Sequence, residues 1–477
     1  MGSCVLLSSR TYSPSDDNGY ACSNSTTCLY WVAGNYLRIC RTKTPESGRH
    51  GICVLHCFSG IPYRMVVSVF SSKTMILFPE TDLKAEILSR GVIFTQAAIE
   101  HAVSSGAKRQ NLVYNAPKGF AEERPQELVL EGEDRYHTVV SCVSAHGKRD
   151  PVTVDISKSG ELICRIGNRI ASDRVKVSFV KQPEYYGQRL ASGDLAKKYI
   201  SACGYDELNI IPWKGCLVSS ACRFCGVNSV AVRNPSDVLH AAHLRSGAVG
   251  WETARSHYMA NLSESISLAL QAECYSEHMH VILISGNLPD DQLDMQADIY
   301  CDIVAHIKNR LSSHSTEGIV AVMTPPNDLS RLDKLKQAGV SIVVFNLEVG
   351  NDPWFSKYSP GKSTLGRDFF IDRLKYAVSV FGRGKSWTNF VLGLEPVDDL
   401  LVVCKELARH GIVSGANVLH LDHGSRLDCE PPSKDSIIYF FHNLMQINQE
   451  SGFDAFYCSK ALRTSLSNEF MDRRWMD

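Results

Sequence analysis

From Tyr205 onward, short apolar runs alternate with longer stretches of helical period. The runs are LNIIP (208–212), HVILIS (280–285), GIVAVM (318–323), SIVVFN (341–346), TNFVLG (388–393) and ANVLHL (416–421). Between them, residues 254–273, 290–311, 328–338, 367–381 and 397–410 carry the spacing of amphipathic helices. Strand followed by helix, repeated, predicts a parallel sheet with right-handed crossovers, which fits a partial or full barrel or a doubly wound sheet. Upstream, the pattern shortens to β-branched runs. QELVLEG, YHTVVSCVS, DPVTVDIS, ELICRIG and VKVSFV, over 126–181, predict a small β-rich module with a hairpin at Ser159-Gly160. Residues 82–106 predict two short helices parted by Gly91, and residues 1–75 carry no sustained period of either kind. The expected division is a poorly ordered or unassigned cysteine-rich segment (1–75), a small α+β module (76–195) and a (β/α) barrel with a C-terminal extension (196–477).

Composition narrows the function classes. A chain of 477 residues has room for a barrel of about 250 residues and an added module. Its 50 Lys+Arg balance 51 Asp+Glu, so no global field recruits nucleic acid or an anionic membrane. No apolar run reaches the roughly 20 residues of a membrane span, and the N-terminus carries no secretory pattern, so a cytoplasmic enzyme is expected. The 17 cysteines are an odd number spread over a long chain, unlike the disulfide framework of a small secreted domain. Metal or cluster ligation is the better use for a tight subset of them.

That subset lies directly after the first strand of the βα series. WKGCLVSSACRFCGVNS places Cys216, Cys222 and Cys225 in a polar loop at the carboxyl end of a parallel strand, where such folds build their sites. Three thiolates hold three irons of a cubane and leave the fourth open to an exchangeable ligand. A zinc site completed by Cys203, His240 or His243 is the alternative, although a zinc knuckle usually has two cysteine dyads and only one CxxC is present. Unliganded cysteines are a third possibility.

The same segment resembles the cluster loop of radical S-adenosylmethionine enzymes, whose usual spacing is Cys-x3-Cys-x-aromatic-Cys. Phe224 stands at the aromatic position, beside the adenine in that family, and the first gap here is five residues. The resemblance covers about residues 205–445 and is nearest to the biotin-synthase-like branch. Ser285, Gly286 and Asn287 match the small-residue motif that meets the cofactor's amino group, where the branch usually has Gly-Gly-acid. A plain strand-to-helix turn capped by Asn287 or Asp290 would look alike. LDKLKQAGVSIVVFNLEV matches the family's helix-then-strand passage, and Asn346 and Glu348 are implied to hold the ribose hydroxyls and the amino group. In KYSPGKSTLGRDFFIDRLKYAVSVFG, Arg373 matches an arginine that grips the methionine carboxylate, with Lys362 and Arg367 as weaker candidates. Gly393 matches the glycine whose strand lies against the adenine, and Glu395 is out of register and gets no role. His420, Asp422, His423 and Arg426 sit where the family often contacts substrate, in a stretch that also reads as a surface loop.

The resemblance implies a [4Fe–4S] cluster and S-adenosylmethionine as cofactors, and an external electron donor such as flavodoxin or ferredoxin. It implies reductive cleavage of the sulfonium to a 5′-deoxyadenosyl radical that takes hydrogen from a small-molecule substrate. The cysteine spacing is also similar to that of the radical methylase of iron-guanylylpyridinol cofactor assembly, which gives C-methylation as an alternative outcome. A zinc-stabilised, non-enzymatic binding protein remains the rival from another class.

Overall fold

The computed structural model describes residues 77–477 apart from 110–123, 146, 205–206, 219–221, 229–243, 245–246, 273–279, 312–317, 422–423, 428, 454–461 and 473–477; within residues 1–76 it describes the backbone of five short strands. The chain divides into two compact units, Met1–Ile76 and Leu77–Asp477. In the first unit, β1 (Cys4–Leu6), β2 (Thr27–Val32) and β3 (Tyr36–Arg41) form an antiparallel sheet, and β4 (Ile52–Val54) pairs with β5 (Val66–Ser68). These strands run three to six residues, too short for an alternating pattern to stand out in the sequence.

The second unit opens with α1 (Pro79–Arg90), whose Pro at the helix start gives up no needed N–H. After β6 (Val92–Phe94) comes α2 (Gln96–Ser104), capped by Thr95, whose hydroxyl accepts from the Ala98 amide at 3.2 Å. Strands β7 (Glu127–Glu131), β8 (His137–Ser141), β9 (Val152–Ile156), β10 (Leu162–Ile166), β11 (Arg169–Ile170) and β12 (Lys176–Phe179) complete a sheet of order β6-β9-β10-β12-β7-β8, with β11 on β10. Only the β6–β9 pairing is parallel.

A second seven-stranded sheet follows, of β13 (Ile200–Cys203), β14 (Glu207–Ile210), β15 (His280–Ile284), β16 (Ile319–Val322), β17 (Val340–Val344), β18 (Ser386–Leu392) and β19 (Ile412–Val418). Its spatial order is the sequence order, with β14 to β19 parallel and β13 antiparallel at the edge. This mixed α/β sheet curls into a partial barrel, and the helices α3 (Ala248–Gln271), α4 (Leu293–Leu311), α5 (Ser330–Ala338), α6 (Asp352–Tyr358), α7 (Arg367–Phe381) and α8 (Val397–Arg409) connect its strands. Beyond the sheet come α9 (Lys434–Glu450), started by Ser433, and α10 (Ser467–Asp472). No helix among the described residues is long and apolar enough to cross a membrane.

Alternation explains which way each strand faces. In β18, Ser386, Thr388, Phe390 and Leu392 are buried while Trp387, Asn389 and Val391 are half-buried, a strict period of two. Against that sheet, α8 buries Leu400, Val403, Cys404, Leu407 and Ala408, the stripe of a helix with one face on the core.

One apolar core runs through both large sheets, taking in Leu128, Leu130 and Val152 as well as Leu208, Ile210 and Val281. Buried charges reinforce this junction. Lys84, fully buried on α1, donates to Glu469 at 2.5 Å, to Thr138 at 3.1 Å and to the Leu462 carbonyl at 2.9 Å. Glu127 on β7 pairs with Lys108 at 2.5 Å and with Arg463. Burial alone would push the Glu127 carboxyl up, but the charges of Lys108 and Arg463 outweigh it and hold the group below the usual carboxylate range.

Candidate active site

The carboxyl ends of the parallel strands bring the matched segments to one end of the sheet. The loop after β14 carries the three cysteines, each half-buried. Its first part is pinned to the end of β15. Trp213 donates its indole N–H to the Gly286 carbonyl at 2.8 Å, the Leu217 amide donates to the Asn287 carbonyl at 2.8 Å, and the Asn287 amide points at the Cys216 sulfur at 3.2 Å. That contact fixes where the Cys216 sulfur sits. Ser285 directs its hydroxyl to Tyr300 at 2.8 Å.

Gly286 is required by this close approach. A Cβ there would lie 1.9 Å from the Gly215 carbonyl oxygen, so backbone meets backbone with no room for a side chain. Gly286→Ala is therefore expected to displace the cysteine loop, lowering iron uptake on reconstitution and costing about 1–3 kcal/mol of stability in urea unfolding. Gly187→Ala, whose added Cβ would meet nothing within 4 Å, is the control and should change neither measurement.

The two ends of the loop are joined by a residue that sequence reasoning missed. Asn228 accepts from the Cys216 amide at 2.7 Å and donates to the Cys216 carbonyl at 3.2 Å, closing the turn that holds all three cysteines. No local pattern could have found it, because an Asn after a CxxC is chemically unremarkable until its partner is known. Elsewhere in the loop, the Arg223 amide donates to the Tyr358 carbonyl at 2.9 Å, and the Arg223 carbonyl accepts from the Arg426 amide at 2.7 Å. Phe224 packs half-buried on the main core.

Burial pushes the Cys225 thiol up to about 12 and raises Cys222 as well, while the nearby Lys362 ammonium pulls Cys222 back toward its ordinary value. Cys216 and Cys222 both act on Cys225 as neighbouring like charges, so the three sulfurs share one neighbourhood. Among the described residues no three His, Cys, Asp or Glu side chains converge on a point that one ion could occupy. Three cysteine sulfurs in one loop are a donor set of the kind that iron–sulfur clusters take. Cys203 lies at the amino end of β14, paired in register with Glu207, and its sulfur accepts from Asn209 at 2.9 Å. It is at the opposite end of that strand from the triplet. His240 and His243 lie outside the described residues.

Across from the cysteines stand Asn346 and Glu348, just past the end of β17. The period of two would put both side chains on one face, but Glu348 has φ +69°, a left-handed conformation that costs a non-glycine residue free energy. Two backbone bonds to β18 hold it there, from the Glu348 amide to the Asn389 carbonyl at 2.9 Å and from the Val391 amide to the Glu348 carbonyl at 2.8 Å. The two side chains consequently part company. Asn346 Oδ1 accepts from the Asn389 amide and side chain, both at 3.2 Å, whereas Glu348 turns to Lys362 at 2.9 Å.

Arg373 on α7 donates to the carbonyls of Pro326 and Asn327 at 3.2 and 3.3 Å and stacks on Phe369, 3.6 Å from the ring centre. Arg367 donates to the Gly350 carbonyl at 2.5 Å. Gly393 takes φ +115°, with Pro432 and Leu419 closing over the face where a Cβ would stand. Glu395 is a strut: its two oxygens accept from the Gly350 amide at 2.5 Å and the Asn351 side chain at 2.6 Å. Of the four late polar residues, His420 hydrogen-bonds the Val418 carbonyl at 3.0 Å, and Arg426 reaches the cysteine loop through its backbone. Asp422 and His423 lie outside the described residues.

No family model matches the chain. It is 24% identical over 375 residues to the bacteriochlorophyllide c C-7(1)-hydroxylase of Chlorobaculum limnaeum, a match spanning 76% of this chain and 82% of that enzyme. Similar solved structures include the FeFe-hydrogenase maturase HydG from Carboxydothermus hydrogenoformans, with a TM-score of 0.34 and 14% identity over 55% of this chain and 58% of that one. Coproporphyrinogen III oxidase (HemN) from Escherichia coli, a radical SAM enzyme, gives a TM-score of 0.32 and 12% identity over 54% of this chain and 55% of that one.

Proposed function

We propose that Cys216, Cys222 and Cys225 hold a [4Fe–4S] cluster and that the carboxyl ends of β15, β17 and β18 hold S-adenosylmethionine against it, for hydrogen abstraction from a small-molecule substrate. The observation that carries this reading is the convergence of the cysteine loop, the Gly286–Asn287 turn and the Glu348–Lys362 pair at one end of the partial barrel. When bound, the cluster supplies the electron that breaks the cofactor's sulfonium and starts the radical reaction.

The chain's own residues do the positioning. The Asn287 amide steadies the Cys216 sulfur, and Asn228 fixes the loop that spaces the three thiols. Phe224 presents an aromatic face for the adenine, and Ser285, Gly286 and Asn287 bring backbone carbonyls whose second lone pairs suit an ammonium. Glu348 offers acceptors to the ribose or the amino group, and Asn346 supports the same strand end through Asn389, while Gly393, the glycine matched to the adenine side, is closed over by Pro432 and Leu419 and serves the turn itself. His420, Asp422, His423 and Arg426 belong to the segment assigned to substrate. A reductant protein such as a flavodoxin or ferredoxin is the partner. The similarity to a hydroxylase favours, as a second reading, an outcome in which the attacked carbon ends oxygenated.

Anaerobic reconstitution of the full chain tests this reading. The expected product is a brown, oxygen-sensitive protein with about four irons, which forms 5′-deoxyadenosine from S-adenosylmethionine under dithionite. A colourless protein carrying stoichiometric zinc would replace the reading with that of a zinc-stabilised binding protein.

A further inference from the structure

The cation best placed to meet the cofactor's methionine end is a lysine on the loop between α6 and α7. Lys362 has a side chain only 8% exposed. Its ammonium donates to the Asn346 carbonyl at 2.7 Å and to Glu348 Oε1 at 2.9 Å. An ammonium has three N–H donors, and among the described residues two meet these oxygens while the Phe370 ring centre lies 5.9 Å away, too far to take up the third. The loop that carries it is tied to the cysteine loop: the Lys362 amide donates to the Ser359 carbonyl at 3.0 Å, and the preceding Tyr358 carbonyl accepts from Arg223 at 2.9 Å. Arg373, which matches the family's carboxylate-gripping arginine, already spends its guanidinium on two backbone carbonyls and the Phe369 ring.

We propose that Lys362, rather than Arg373, takes the carboxylate of S-adenosylmethionine through its third N–H. The inference rests on the radical S-adenosylmethionine reading above and deepens it. Charge balance favours it, because the Lys362–Glu348 pair is neutral by itself and a zwitterionic amino-acid end keeps the buried site neutral, where a lone anion would not. Lys362 is thus a binding residue with one open position, held in place by Glu348 and the Asn346 carbonyl.

The test measures equilibrium binding to the anaerobically reconstituted full chain without reductant, using S-adenosylmethionine and its decarboxylated analogue. Lys362→Met should weaken S-adenosylmethionine about 10- to 150-fold, the usual size of one lost charge-assisted bond, and leave the analogue within about threefold. Arg373→Met should preserve the parent's preference between the two ligands. Equal losses for both ligands in Lys362→Met would overturn the proposal, since they would mean that the lysine only props Glu348. A preference abolished by Arg373→Met would overturn it too, and that variant decides the matter even where Lys362→Met fails to fold. A parent that loads iron and binds S-adenosylmethionine while either of these results appears leaves the proposed function standing. A parent that does neither sinks both.

Discussion

Cys222→Ala protein, reconstituted anaerobically beside the parent, is expected to be colourless and to form no 5′-deoxyadenosine. Each of the three thiolates is one attachment of the cubane, and two attachments leave it labile. The same loss is expected for Cys216→Ala and Cys225→Ala, because each sulfur in this reading holds one iron, and the Asn228 and Asn287 contacts fix the backbone and sulfur of Cys216 in place. Cys57→Ala, in the Met1–Ile76 unit, should keep full iron. Iron counted per chain and the visible absorbance are the measurements. Full iron in Cys222→Ala would remove that residue from the ligand set.

Lys84→Ala should cost about 3–5 kcal/mol of stability in urea unfolding, the largest effect expected from any change outside the cysteine loop. The ammonium neutralises Glu469, which pairs with no other cation among the described residues and is fully buried like Lys84 itself. Removing the lysine strands that carboxylate in the core and leaves the Leu462 carbonyl and Thr138 hydroxyl short of a donor. Restoring neutrality with the double variant Lys84→Met, Glu469→Gln should recover most of the loss, since neither side chain then carries a charge. A single variant within 1 kcal/mol of the parent would mean that water reaches this site and screens it.

Much of the architecture was legible along the chain, and for local reasons. The helices 367–381 and 397–410 are read within a residue of α7 and α8, because an apolar stripe with a glycine or a turn at each end is a property of neighbouring positions. The six parallel strands were read in order, although the run at 416–421 is centred late: β19 starts at Ile412. Its first residues, IVSGA, include a serine and a glycine that blur the apolar run. The antiparallel edge strand β13 and the helix α6 escaped notice, being four and seven residues long. The cysteine triplet was legible because ligand spacing within a loop is itself a local feature.

The rest depends on which distant segments meet. Lys84 and Glu469 are 385 residues apart, and nothing near either one names the other. Glu127 and Arg463 are 336 apart, and Asn228 gains its meaning only when the loop folds back onto Cys216. The surroundings of Lys362 and Arg373 are likewise set by distant segments. Both are cations in one matched segment, and the sequence ranks the arginine first by motif. In the folded chain the lysine is buried beside Glu348, while the arginine rests on carbonyls and a ring. The sequence by itself determined most of the strand and helix pattern and the spacing of the three cysteines in one loop, since each is written in residues close together. Only the tertiary structure decided which charges are buried in pairs and which cations rest on carbonyls and rings, because burial and pairing are properties of the packed chain.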